Sequence, residues 1–482
     1  MTQPGSFSRS SWCVWACVLA LSVGITSVRS ALLAQAAPSP TASLTFAKDI
    51  APIFREKCEM CHRADGMGPM SLTTFDEVRP WARSIRTKVA ERVMPPWYVD
   101  KNVGIQAFVN DRSLNDAQIE TIVKWVDAGA PAGNPRDLPA PGRWATGNIW
   151  ELATYFGREP DLVVKSPKYT MPAVSQDRWW QVTAESSAPE DRWVAGTETR
   201  PSLESRKVVH HATTMLFQKE SRAFNQAKRA LRSGSFDPVA LYPSDKPDDP
   251  ATLEDPGQGG MAFSEWAVGK NGEVYVEHEA GQFLRAGAKI GWDVHMSQSG
   301  KETPVTVETA FWFYPKGKLP KYRASMFQFG FSSAKNLEIP PGKISRHEGY
   351  TVLPAPAVIM NFQPHMHFRG KAFSMEAIYP DGRTEMLNHV SRYAFNWHIN
   401  YVYAKDAAPV VPKGTVIKVT GWHDNTVANR FNPDPSQWVT YGQRSVEEMM
   451  HANEVVVFIS EDDYQRMTAD RKKNATLVTQ GQ

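Results

Sequence analysis

From Trp150 onward, short apolar and β-branched runs alternate with turns that contain glycine or proline, without long helical periodicity. The clearest runs are residues 207–217, 288–295, 305–313, 357–362, 415–422 and 454–459. Many short strands separated by turns are typical of β-sandwiches and barrels. We therefore predict two all-β sandwich domains, over residues 150–335 and 340–462, with a boundary near 332–349.

Residues 45–130 show a different pattern, in which apolar positions recur at helical spacing. Helices are predicted at the start of this segment, over residues 75–92, and after Ser113, whose side chain suits an N-cap. The last helix carries an apolar stripe at Leu114, Ile119, Ile122, Val123 and Val126. This pattern predicts a small all-α domain, and the Pro/Gly-rich stretch at 131–149 predicts a linker after it.

The two ends of the chain are predicted to lie outside these domains. Arg9 precedes an apolar run at 12–26, and small residues follow up to Ala37. This order is typical of a secretory signal peptide over residues 1–37, with an uncleaved membrane anchor as the alternative. Cleavage would leave an exported protein, periplasmic or secreted, with no stable membrane span. Residues 463–482 are polar and predict a tail.

Composition narrows the possible partners and the use of cysteine. The chain has 482 residues, 22% of them charged, and a net charge of +3 without a concentrated basic block, which argues against a nucleic-acid partner. Cys13 and Cys17 lie in the predicted signal peptide, so the exported chain keeps only Cys58 and Cys61. Two cysteines this close together do not form a disulfide framework.

Cys58, Cys61 and His62 form a C-x-x-C-H motif, the pattern of covalent heme c attachment. The two thiols would bond the porphyrin, and His62 would be the proximal ligand of the iron. A thioredoxin-like redox pair lacks the expected βαβ pattern here. A zinc site lacks a second cysteine pair.

Met94 is the predicted distal ligand of the heme iron, because Pro95 and Pro96 end the preceding helix and fix a loop there. Met67 and Met70 follow His62 closely, which leaves little chain to reach around the ring. The alternative is that Met94 is a core residue. Together these features predict an N-terminal cytochrome c domain.

Histidines cluster in the β-rich region. His365 and His367 are two residues apart, so on a strand both side chains leave the same face and can converge on a metal ion. His210 and His211 are adjacent, so they can share an ion if the strand is bent. His295 lies at the end of another predicted strand. For any single histidine, a hydrogen bond in a loop is the alternative.

Four short motifs, at 208–212, 294–296, 365–371 and 445–449, resemble the ligand motifs of the copper type II ascorbate-dependent monooxygenases. This family includes peptidylglycine α-hydroxylating monooxygenase and dopamine β-monooxygenase, and the resemblance covers roughly residues 150–460. It implies two jelly-roll-like domains that face each other, each with one copper ion.

The resemblance also implies the ligands of both copper ions. His210, His211 and His295 would bind the electron-transfer copper. His365, His367 and Met449 would bind the oxygen-activating, catalytic copper, and Met450 is an alternative to Met449. A thioether favours Cu(I), the form that meets O₂. We expect the remaining histidines to be structural or at the surface: His278, His347, His389, His398 and His423.

Departures from the family pattern bear on the substrate. The peptide hydroxylase grips the substrate carboxylate with an arginine two residues before its His-x-His pair, and this position is Gln363 here. Two and four residues after the methionine, that enzyme has Asn and Tyr, whereas this chain has His451 and Asn453. These differences argue against a C-terminal-glycine peptide as the substrate. His451 also lies close enough in sequence to the predicted ligand Met449 to perturb the second copper.

The sequence therefore predicts an exported heme c–copper monooxygenase that hydroxylates a C–H bond of a small organic substrate with O₂. Electrons would pass from the heme to the coppers, and an external donor would supply the heme. The alternatives are a copper-binding or electron-transfer protein without hydroxylase activity, and a degenerate enzyme with one copper site lost.

Overall fold

The structure is a computed structural model, and it describes residues 44–64, 66–142, 149–222, 224–226, 238, 242–244, 248–255, 261–267, 270, 272–331 and 335–480. The predicted signal peptide, 1–37, lies outside the described residues. The described residues from Leu44 onward belong to a single compact unit. No helix in the described part of the chain is both long and apolar enough to cross a membrane.

Helices make up 20% of the structure and strands 36%. The α-helices are α1 (Ala51–Lys57), α2 (Phe75–Val78), α3 (Ala82–Ala90), α4 (Asp116–Asp127), α5 (Glu151–Phe156) and α6 (Glu461–Gln480). A π-helical turn at Phe46–Ile50 precedes α1, and short 3₁₀ turns lie at Arg79–Trp81, Pro135–Asp137, Ser205–Lys207, Pro250–Thr252 and Val276–His278. Most of the predicted polar tail is therefore part of α6.

The strands begin after α5 and continue to α6. They are β1 (Leu162–Lys165), β2 (Tyr169–Met171), β3 (Arg178–Glu185), β4 (Arg192–Pro201), β5 (Val209–Phe217), β6 (Glu220–Ser221), β7 (Leu253–Glu254), β8 (Met261–Ala267), β9 (Glu273–Val274), β10 (Ala280–Leu284), β11 (Lys289–Met296), β12 (Thr303–Val305), β13 (Val307–Phe313), β14 (Tyr322–Phe329), β15 (Glu338–Ile339), β16 (Ile344–Val352), β17 (Ala357–Ile359), β18 (Asn361–Phe362), β19 (Pro364–Met366), β20 (Gly370–Ile378), β21 (Thr384–Val390), β22 (Tyr401–Val402), β23 (Val410–Val411), β24 (Val416–Asp424), β25 (Val439–Thr440) and β26 (Met450–Phe458).

A 10-stranded sheet runs through both halves of the β-region. Its order is β1-β13-β4-β10-β14-β26-β17-β23, with β9 and β19 paired at its side. The junction is β14, which pairs in parallel with β10 and antiparallel with β26. Two four-stranded sheets, β3-β11-β5-β8 and β16-β24-β20-β21, contact opposite halves of this long sheet.

The predicted fold, a small all-α cytochrome c domain followed by two jelly-roll-like sandwich domains, is wrong. The chain is mostly β-sheet, its helices are few and short, and no distinct all-α domain is present among the described residues. The long sheet and its apolar core also continue across the predicted boundary between the β-domains.

The helical segment is joined to the β-region by backbone hydrogen bonds. The N–H groups of Asp100 and Ile105 donate to the carbonyls of His389 and Leu387 on β21, at 2.8 and 2.9 Å. Asp100 also accepts a hydrogen bond from the His389 ring at 2.6 Å. Helical periodicity is a local signal, so it could not show that the loop after α3 pairs with strands nearly 300 residues later.

Candidate metal centre

The first predicted ligand set, His210, His211 and His295, lies on the neighbouring strands β5 and β11. His295 pairs directly with His211, and Met296 pairs with Val209, so His210 is the extra residue of a β-bulge. A bulge bends the strand and redirects its side chains. The bulge therefore supplies the bend in the strand that two adjacent histidines need if they are to share one ion.

The nitrogen atoms of this first set are close together. One ring nitrogen from each histidine lies within 4.8 Å of the others, and the Nδ1 atoms of His210 and His211 are 3.2 Å apart. His295 Nε2–H donates to the Asp177 carboxylate at 3.1 Å, which leaves a lone pair on Nδ1. That Nδ1 is buried without a partner among the described residues. A carboxylate that fixes the tautomer in this way is typical of metal-bound histidines.

Asp177 and Trp179 contact the first ligand set, and the sequence reasoning missed both. The hydrogen bond from His295 holds the pKa of Asp177 below its usual value. Trp179 lies opposite His295 on β3, and its ring stacks on the imidazole at a centroid distance of 4.4 Å. Neither residue belongs to a recognisable motif, and Asp177 lies 118 positions before His295.

The second predicted set, His365, His367 and Met449, lies where β19 meets β26. His365 pairs directly with His451, and Met366 pairs with Met450. His367 Nδ1–H donates to the Glu447 carbonyl at 3.1 Å, and its backbone N–H donates to Glu448 at 2.9 Å. The remaining Nε2 of His367 is buried and has no hydrogen-bond partner within the described chain.

The strand register separates Met449 from Met450. Directly opposed residues share a face of the sheet and successive residues alternate, so Met450 faces away from His365 and His451. Its sulfur packs against Gly421, 2.8 Å from the position that a Cβ atom on this glycine would occupy. The sulfur of Met366 lies next to the same position. Met449 precedes the first residue of β26, so strand alternation does not fix the direction of its side chain. Because Met450 is turned away from the histidines, Met449 stays the predicted ligand.

His398 and His451 join the second set. The Nδ1 atoms of His398 and His365 are 3.2 Å apart, and the rings of His451 and His365 are 4.6 Å apart. His398 Nε2 and His451 Nδ1 are buried without partners in the described structure. We expected His398 to be structural or at the surface, but the chain after β21 brings it into this group.

The two sets are close to each other. The rings of His211 and His365 are 5.8 Å apart, and Ser445, from the second half of the β-region, lies 3.4 Å from His295 Nε2. We call the combined group the histidine cluster; it consists of His210, His211, His295, His365, His367, His398 and His451.

Burial keeps most of the histidine cluster neutral. It lowers the pKa of His210 and His451 to about 3 and that of His367 to about 4. It lowers the pKa of His211, His365 and His398 well below the usual value. Neutral imidazoles offer lone pairs to a metal, and these donors with one thioether suit copper. The residues present therefore fit the implied copper ions.

The heme motif lies in the helical segment after α1. Cys58 and Cys61 are free thiols, and burial raises the pKa of Cys58 to about 12. His62 Nδ1–H donates to the Met70 carbonyl at 3.1 Å, which orients the ring and leaves Nε2 as a ligand. Two thiols and an imidazole nitrogen are the groups that heme c attachment uses.

The structure does not bring Met94 and Cys61 to one cavity. Cys61 lines a cavity of about 40 Å³ together with Met67, whereas Met94 lines another of about 160 Å³. Small-molecule pockets typically measure about 300–1,000 Å³. The surrounding segments would have to separate to admit a porphyrin, and Met94 as the distal ligand stays a prediction.

Gln363 belongs to a buried polar network beside the cluster. Its side-chain amide donates to Glu265 at 2.7 Å and its oxygen accepts from Lys270 at 3.2 Å. Its backbone N–H donates to Glu454 at 3.1 Å. Gln363 is 1% exposed, so its side chain is committed to these partners and does not replace an arginine that grips a substrate.

No family model and no curated protein sequence matches this chain. Among solved structures, one similar chain is a two-domain protein of unknown function from Bacteroides fragilis. The two share 10% sequence identity with a TM-score of 0.14, over 64% of this chain and 98% of that chain. A likeness this low assigns neither a fold nor a function.

Proposed function

We propose that this protein is an exported copper-dependent monooxygenase that hydroxylates a C–H bond of a small organic substrate with O₂. The observation that carries the proposal is the histidine cluster, in which buried imidazole nitrogens of both predicted ligand sets lack hydrogen-bond partners within the described residues and the rings of the two sets approach to 5.8 Å. Leaving these nitrogens unpaired costs folding free energy, and bound metal would satisfy them.

His210, His211 and His295 would hold the first copper ion, and His365, His367 and Met449 the second. When bound, copper supplies one-electron transfer and the reduction of O₂ at this site. The reaction consumes R–H, O₂, two electrons and two protons, and it gives R–OH and water.

The surrounding residues orient the ligands and exclude water. Asp177 holds His295 in the tautomer with Nδ1 unprotonated, and the Glu447 carbonyl does the same for Nε2 of His367. Trp179 covers one face of His295. Because Gln363 is engaged with Glu265 and Lys270, we expect a substrate that does not depend on a carboxylate anchor.

Heme c attached at Cys58 and Cys61 would supply a one-electron carrier for the coppers. His62 would be the proximal ligand, because its Nδ1–H is already committed to the Met70 carbonyl. The motivation is that one chain carries both a heme-attachment motif and two copper ligand sets.

The test starts from protein loaded with heme and Cu(II). The heme is reduced under anaerobic conditions, O₂ is added, and the heme absorption band is followed. We expect the heme to be oxidised faster in the copper-loaded protein than in the copper-free heme protein. In copper-loaded His365→Ala, heme oxidation should be slower than in the copper-loaded wild type. Equal rates in all three samples would show that the heme does not supply the coppers.

The close approach of the two sets favours one alternative, a copper electron-transfer protein without hydroxylase activity. With His211 and His365 only 5.8 Å apart, the imidazole rings themselves occupy the space between the sets. Substrate-dependent O₂ uptake separates the two functions: a monooxygenase consumes about one O₂ per hydroxylated product, whereas an electron carrier shows no such dependence.

A further inference from the structure

His398 lies at the point where the two ligand sets meet. It follows β21 in a connection that also carries Phe395, whose ring stacks on His210 at 4.6 Å. The His398 ring is 4.6 Å from that of His365 and 5.2 Å from that of His211. It is 2% exposed, so solvent does not satisfy its nitrogens.

Hydrogen bonding alone does not satisfy His398. Its Nδ1 is 3.2 Å from His365 Nδ1, and its Nε2 is buried without a partner in the described part of the chain. If His398 donates to His365, its Nε2 lone pair is left unpaired. If His365 donates to His398, the Nε2–H of His398 is left unpaired. Each neutral tautomer therefore buries one unsatisfied polar atom.

A shared metal ion would replace the hydrogen bond between the two facing nitrogens: both Nδ1 lone pairs would bind the ion, and each ring would carry its proton on Nε2. Two imidazole nitrogens bound tetrahedrally at about 2.0–2.1 Å from one ion are themselves about 3.3 Å apart. The Nδ1 atoms of His210 and His211, both in the first ligand set, show the same 3.2 Å spacing. The pair His365–His398 thus has the separation of two ligands of one ion.

We propose that His398 is a copper ligand and that it holds the ion of the second set together with His365. The inference rests on the proposed function, since it needs copper at this set, and it adds an imidazole to the ligands that the family resemblance implies. An additional nitrogen donor favours Cu(II) relative to a site with only two imidazoles and one thioether.

The experiment uses the full-length chain in a His295→Ala background, so that the Cu(II) signal comes mainly from the second set. His398→Ala and His398→Gln are compared with the parent by Cu(II) titration and by electron spin-echo spectroscopy, which counts the coupled imidazoles. We expect one imidazole fewer in both variants and more than about 10-fold weaker Cu(II) binding, since even outer-shell changes cost 10–100-fold.

His398→Gln separates ligation from folding, because its amide can still hydrogen-bond to His365. Its binding and spectrum would match the parent if His398 had only a structural role. His389→Ala is the matched control, since His389 is bonded to Asp100 outside the cluster, and it should change neither readout.

An unchanged spectrum in both His398 variants, with copper still bound, would overturn the His398 assignment alone. A wild-type chain that binds no copper would overturn this assignment and the proposed function together.

Discussion

The two ligand sets contain similar residues but are built in different ways. The first set lies on two paired strands of one sheet, with its nitrogens within 4.8 Å and a carboxylate behind His295. The second set combines a strand pair, the residue after β19, and a connection that brings in His398. Strand pairing fixes the first set closely, whereas the second has more candidate donors than one ion needs.

This difference suits two different tasks. A fixed set of three imidazoles reorganises little when copper changes its oxidation state, which favours electron transfer. A set with a thioether and surplus imidazoles can present different donors to Cu(I) and Cu(II). Each of the following variants tests one side of this comparison.

The largest effect is expected from His365→Ala. His365 contacts His367, His398 and His451, so its loss should remove the second copper while the first set keeps its ion. We expect copper content to fall by about one ion per chain and O₂-dependent turnover to be lost. Metal analysis and O₂ uptake measure this, with His389→Ala as the control. Retention of all bound copper would contradict the assignment.

Met449→Ala and Met450→Ala should have opposite effects. Met450 is fully buried beside Met366, so its truncation should lower the free energy of unfolding by about 2–5 kcal/mol and leave copper binding intact. Met449→Ala should weaken Cu(I) binding and turnover with a smaller loss of stability. Urea denaturation and Cu(I) competition titrations measure both, and the reverse pattern would make Met450 the ligand.

Asp177→Asn should weaken the first copper site without affecting the second. Asparagine keeps the size of the side chain but removes the charge that fixes the His295 tautomer. A loss of about 10–100-fold in affinity is typical for such a change. Stepwise Cu(II) titration resolves the two sites, and equal weakening of both would mean that the sets act as one.

The smallest effect is expected from Ser445→Ala. The Ser445 hydroxyl is 3.4 Å from His295 Nε2, longer than a normal hydrogen bond, and Asp177 is nearer to the same nitrogen. We expect less than about 10-fold weaker binding at the first site. A loss as large as that of Asp177→Asn would show that the second half of the β-region controls the first site.

The sequence alone predicted the β-rich region and several of its strands. The run at 207–217 corresponds to β5 (Val209–Phe217), and the run at 415–422 corresponds to β24 (Val416–Asp424). These strands could be predicted because alternation, β-branched residues and turn residues are local properties of the chain. The heme motif and the His-x-His pair are likewise contained within a few residues.

Only the tertiary structure decided how these strands are shared. The pairing of β14 with both β10 and β26 joins the predicted domains into one sheet, and the loop at Asp100 ties the helical segment to β21. Such contacts depend on backbone hydrogen bonds between segments that are distant in the chain. The periodicity of the sequence does not specify which strand pairs with the edge of another strand.

The same limit applies to the candidate metal centre. The motifs identified His210, His211, His295, His365 and His367, but His398 lies in no motif, and only the fold places it between the two sets. Sequence determines which donors the chain carries. The sheet register and the connection after β21 determine which of them meet, because metal geometry depends on distances of a few ångströms between residues far apart in the chain.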